Sequence, residues 1–134
     1  MPEKLRIGVM ISGRGTNLQS IIDACEAGKI DAEVAVVISN KADAFGLERA
    51  RKHGIPALHI PVGPNNTPEY DVADRKQAQV LSEYGVQLVC LAGYMRKVGP
   101  AVLKAYPMRV MNIHPALLPA VPGVEVQWTA VEYG

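Results

Sequence analysis

Asn112 and His114 stand two residues apart at the end of the apolar run Arg109-Val110-Met111-Asn112-Ile113, with Pro115 directly after. In extended chain that spacing puts a carboxamide and an imidazole on one side, a neutral donor beside a titratable one. Such a pair can stabilise an oxyanion. It can equally be a strand-end amide satisfying backbone groups and a histidine packed under the turn Pro115-Ala116-Leu117-Leu118-Pro119. A second segment, Ser12-Gly13-Arg14-Gly15-Thr16-Asn17-Leu18, is suited to an anion. Gly13 and Gly15 allow a tight turn, and Thr16 and Asn17 stand at a helix entrance, where unpaired N–H groups and the helix dipole favour negative charge. Leu18 occupies the place of the last glycine in a dinucleotide fingerprint, and no Gly-Lys-Ser/Thr follows, so the alternative is a capped turn without a ligand. A third segment, Gly93-Tyr94-Met95-Arg96-Lys97-Val98, is either a plain connection or a backbone edge for a flat heterocycle, with Leu91, Met95 and Val98 as apolar walls.

The elements that must position these residues follow from periodicity. Arg6 to Ser12 is an apolar run without helical spacing, a buried strand. Leu18, Ile21, Ile22 and Cys25 fall at helical spacing and predict a helix stopped by Gly28. Val34 to Ile38 is a second strand. Ala44 to His53 is a second helix, with Gly54 just past its end and Arg49, Arg51 and Lys52 suited to its last turns. Pro56 to Ile60 is a third strand. Thr67-Pro68-Glu69 combines cap, proline and acid as a helix start, and that helix runs to about Tyr84 before Gly85. Val86 to Ala92 is a fourth strand, Pro100 to Tyr106 a short helix and Arg109 to Ile113 a fifth strand. Strands alternating with helices predict right-handed crossovers and a doubly wound, mostly parallel α/β sheet. Its crevice lies beyond the carboxyl ends of the strands, where strand order reverses. All three informative segments follow strands at that edge, which makes them one candidate site and points to a transferase acting on a phosphorylated substrate.

Composition sets the outer limits. A chain of 134 residues, 49% apolar and 20% charged, suits a single globular domain over residues 1–134 with an aliphatic core, aromatic residues making up only 5%. A net charge of +1 without a long basic cluster argues against a nucleic-acid partner. The run Ile7 to Ile11 is too short for a signal peptide or a membrane span, so a cytoplasmic protein away from membranes is expected. Cys25 and Cys90 read as two buried thiols, His53 and His59 as surface or loop residues, and the three histidines build no metal site.

Four segments in order, Ser12 to Leu18, Ser39-Asn40-Lys41-Ala42-Asp43-Ala44, Leu91-Ala92-Gly93-Tyr94-Met95-Arg96 and Asn112 to Pro119, give the chain a resemblance to the phosphoribosylglycinamide formyltransferases, folate-dependent enzymes of purine synthesis. The methionyl-tRNA formyltransferases share the asparagine-histidine signature, but the loop at Ser12 to Asn17 is similar to that of the glycinamide ribonucleotide enzymes. The resemblance implies transfer of a formyl group from the cosubstrate 10-formyltetrahydrofolate to the amine of 5-phosphoribosylglycinamide, without a metal. By the same resemblance Gly15, Thr16 and Asn17 would hold the phosphate. Met95, Arg96, Lys97 and Val98, with Asn112, would line the folate site, backbone facing the pteridine. Asn112 and His114 would be the catalytic pair.

The chain also departs from that pattern. The resemblance implies further length beyond the equivalent of Gly134, with the remaining sheet strands, part of the folate pocket and an aspartate that pairs with the histidine; no residue here matches that aspartate. Without a carboxylate beside it, His114 would be the poorer donor near neutral pH. The expectation is an impaired enzyme or, alternatively, a non-catalytic phosphoribosyl-binding or complementing fragment, with the fifth strand an exposed edge through which chains self-associate. Glu125 and Gln127 stand where many relatives have histidines, and a helix is expected to begin at Gln127-Trp128. Thr67 is nearest to where relatives carry a folate-binding arginine.

Overall fold

Parallel pairing joins all five strands in the order β3-β2-β1-β4-β5. The strands are β1 (Leu5–Ile11), β2 (Ala32–Ser39), β3 (Ala57–His59), β4 (Leu88–Leu91) and β5 (Val110–Asn112). Between them run α1 (Thr16–Glu26), α2 (Phe45–Lys52), α3 (Pro68–Glu83) and α4 (Pro100–Ala105). The coordinates are a computed structural model, and it describes residues 4–113. His114, Glu125 and the helix expected from Gln127 lie outside the described residues.

Two-residue alternation along the strands sends apolar side chains to both faces, the signature of a sheet covered on each side. Ile7, Val9, Ile11, Val37, Cys90 and Met111 pack with Leu18, Ile21, Ile22 and Leu47 of α1 and α2. Met10, Val36, Ile38, Val89, Leu91 and Val110 pack with Val80, Leu81 and Val102 of α3 and α4. The helical spacing Leu18, Ile21, Ile22, Cys25 is thus the buried face of α1. The helices α1, α2 and α3 each end just before a glycine at positive φ, Gly28 (74°), Gly54 (71°) and Gly85 (68°). At the start of α3 the Thr67 hydroxyl accepts from the Tyr70 N–H at 3.3 Å, with Pro68 in the first turn. β3, bounded by Pro56 and Pro61, is short and lies at the sheet edge, where a missing N–H is tolerated. Among the described residues no helix is long and apolar enough to cross a membrane.

Strand order reverses between β1 and β4: from β1 the chain proceeds outward through β2 to β3, then returns to β4 on the other side. The carboxyl ends of β1 and β4 therefore flank the crevice.

Candidate functional site

The loop after β1 enters α1 through Gly15, whose φ of 77° is left-handed and whose pro-Cβ position would lie 2.5 Å from Gly46 Cα. Both facts require glycine. No side chain caps α1, and among the described residues the N–H groups of Thr16, Asn17 and Leu18 find no acceptor. Those donors and the helix dipole make the turn competent to hold an anion. The turn is also buttressed from outside. Gly46 N–H donates to Gly13 O at 3.1 Å. Arg49 Nε donates to Arg14 O at 2.7 Å, with its guanidinium stacked 5.0 Å from the Phe45 ring centre.

Ser12 joins this loop to the next strand ends. Its hydroxyl, in a residue only 3% exposed, donates to Asn40 Oδ1 at 2.6 Å and accepts from Met95 N–H at 2.8 Å. One side chain thereby ties together the carboxyl ends of β1, β2 and β4. Register carries the line further: Met10 pairs level with Leu91, and Leu91 with Asn112. Two strand spacings put Asn112 about 10 Å across the sheet from Met10. Asn112 is exposed, and its side chain makes no hydrogen bond to another described residue. His114 lies outside the described residues.

The loop after β4 differs from expectation in what it offers. Leu91 and Val98 are 7% and 3% exposed and belong to the core beneath α3 and α4, so neither side chain forms a wall of an open crevice, while Met95 is 77% exposed. The cause is the alternation of the sheet and the anchoring of α4, which turn both residues inward. Met95 N–H is engaged by Ser12, and Lys97 O accepts from Tyr70 Oη at 2.8 Å. The Arg96 guanidinium reaches back to Val62 O at 2.9 Å, Gly63 O at 2.6 Å and Asn65 Oδ1 at 3.1 Å, fixing the β3–α3 connection. Thr67 serves as the α3 cap. Tyr94 accepts from Gln77 Nε2 at 3.0 Å, and burial pushes its phenol above the ordinary range.

Sequence reasoning missed Gly46, Arg49, Asp74 and the link from Ser12 to Asn40 and Met95. The segment Ser39 to Ala44 was a signal without a function; Asn40 gives it one. Away from the strand ends, His53 Nδ1 meets Glu26 Oε2 at 2.8 Å and its Nε2 meets Gln19 Nε2 at 3.2 Å. Asp23, Glu26 and His53 form the metal-compatible grouping found among the described residues, fully on the surface. His59 ends β3 and is exposed; Cys25 and Cys90 are free and buried.

A formyl transferase family model matches residues 5–134. The chain belongs to the formyl transferase family. Phosphoribosylglycinamide formyltransferase of Escherichia coli (strain K12) is 46% identical over 130 residues, an alignment covering 97% of this chain and 60% of that protein. Among solved structures, glycinamide ribonucleotide transformylase 1 from Symbiobacterium toebii is 55% identical with a TM-score of 0.78, over 92% of this chain and 57% of that one. A formyltetrahydrofolate deformylase from Pseudomonas putida KT2440 is 30% identical with a TM-score of 0.72, over 85% of this chain and 40% of that one. This formyl transferase chain spans about 60% of the length of its relatives from Escherichia coli and Haemophilus influenzae, and its five-stranded parallel sheet is the family fold.

Proposed function

We propose that this chain carries the phosphate-holding and formyl-activating part of a phosphoribosylglycinamide formyltransferase site. The observation that supports it most is the buried Ser12 hydroxyl, which links the anion-competent turn after β1 to the loop after β4 at the point where strand order reverses. In this reading Thr16 and Asn17, with the backbone at Gly15, hold the phosphate of 5-phosphoribosylglycinamide. Met95, Arg96, Lys97 and Val98 offer backbone to the pteridine of 10-formyltetrahydrofolate. The substrate amine attacks the formyl carbon, the carbonyl electron pair moves to oxygen, and Asn112 with His114 stabilises that charge. Collapse of the tetrahedral species breaks the bond to N10 of the folate; the substrate nitrogen loses a proton and N10 gains one. The reaction needs no metal, nucleic acid or membrane and belongs in the cytoplasm.

A steady-state assay of formyl transfer, with Asn112→Ala as control, tests this reading. The variant is expected to lose about 100- to 1000-fold of the turnover the chain shows; a variant equal to the unmodified chain contradicts the reading. A second reading, a non-catalytic phosphoribosyl-binding or complementing piece, is favoured by the anion-competent turn before α1, whose donors need nothing from Asn112 or His114. Heat released on titration with 5-phosphoribosylglycinamide, without turnover, would select it.

A further inference from the structure

The helix α3 carries a stripe of buried polar side chains that the reaction itself does not use. Tyr70, Asp74 and Gln77 lie at i, i+4 and i+7, one face of the helix, and are only 7%, 4% and 3% exposed. A face pointing into the protein would ordinarily be aliphatic, because a polar group without a partner there costs free energy. Each of these three instead delivers its polar atom to the segment that follows β4. Gln77 Nε2 donates to Tyr94 Oη at 3.0 Å, and Tyr70 Oη donates to Lys97 O at 2.8 Å. Asp74 accepts from Ala101 N–H at 2.8 Å and from Val102 N–H at 3.2 Å. Its carboxylate is thus the cap of α4, supplied from another helix, since α4 has no side-chain cap at Gly99. A Cβ at Gly99 would fall 2.3 Å from the carboxylate carbon, so glycine is what lets the two meet.

Resting on the functional reading above, we infer that Tyr70, Asp74 and Gln77 are positioning residues for folate: they hold the 94–99 backbone in the conformation that meets the pteridine. The geometry is specific to this role. Gln77 holds the Tyr94 side chain at the start of the loop, Tyr70 the Lys97 carbonyl in its middle, and Asp74 the first turn of α4 directly after it, while Ser12 holds the loop from the sheet side at Met95 and Arg96 ties it to the β3–α3 connection. The anion-competent turn after β1 is instead held by α2, through Gly46 N–H to Gly13 O and Arg49 Nε to Arg14 O. Loosening the stripe therefore affects one ligand and spares the other.

The test uses Tyr70→Phe and Asp74→Asn, both close in shape to the original, in the full chain. Amide hydrogen exchange and calorimetric titration with 10-formyltetrahydrofolate and, separately, 5-phosphoribosylglycinamide are read together. Expected are faster exchange at Arg96 and Val98, unchanged exchange at Val9 and Val37, folate binding weaker by about threefold to tenfold for one lost hydrogen bond, and phosphoribosyl binding within about twofold of the original. Equal weakening of both ligands, with exchange accelerated in β1 and β2 as well, would reduce the stripe to ordinary structural support and overturn the inference. So would normal folate binding by both variants. Failure of the unmodified chain to bind folate is a separate result and removes the functional reading on which this role rests.

Discussion

Ser12 is the residue on which the site's coherence depends. Its hydroxyl has one proton, given to Asn40, so its lone pairs are left to face Met95 N–H. Ser12→Ala removes both bonds at once and leaves Asn40 Oδ1 and Met95 N–H without that partner. The expected cost is about 1–3 kcal/mol of stability, read as a lower urea midpoint with an unchanged slope. Weaker folate binding should accompany it, because the Met95 backbone is then held from fewer sides. An unchanged midpoint together with unchanged folate binding would mean that the hydroxyl is replaceable and the link incidental.

At the scale of elements, α2 acts as a buttress for the turn that receives the anion. A Cβ on Gly46 would lie 2.3 Å from Ile11 Cδ1 and 3.1 Å from Gly15 Cα. Ile11 is fully buried and cannot swing aside cheaply. Gly46→Ala is therefore expected to push α2 away from the turn, costing about 1–3 kcal/mol and weakening inorganic phosphate binding in a calorimetric titration; a variant with native stability and affinity would refute the buttress. The elements were legible in the sequence wherever the cause was local. Helix ends at Gly28, Gly54 and Gly85, the Thr67-Pro68 start of α3 and the apolar face of α1 each depend on a few adjacent residues. What escaped was tertiary. Ser12 meets Met95 and Asp74 meets Ala101 across other elements, and nothing local distinguishes Asp74 from a solvated helix acid or Val98 from a pocket wall. Asn112 was legible as a strand-end residue, while His114 lies outside the described residues.

For the whole molecule, burial of thiols and phenols sets a limit at high pH. Burial pushes the Cys90 thiol from the ordinary 9.0 up to about 12, and it raises Cys25, Tyr94 and Tyr106 as well. A neutral acid held above its unfolded value stabilises the fold fully below that value and ceases to as pH rises through the folded one. Stability is thus expected to fall from about pH 9 towards 12, by about 1.4 kcal/mol per pH unit for Cys90 while the unfolded state alone is ionised, the other groups acting in the same direction. Cys90→Ala should make the decline shallower in melting curves across that range; an identical decline would contradict the assignment to Cys90.

The proposed transfer requires that the turn after β1 receive the phosphate of the substrate. Amide chemical shifts followed while 5-phosphoribosylglycinamide is added measure this most directly. Saturable shifts at Gly15, Thr16, Asn17 and Leu18, transmitted to Met95 and absent at Gly28 and Gly54, are the predicted result. Shifts confined to other surfaces, or none at millimolar ligand, would contradict it.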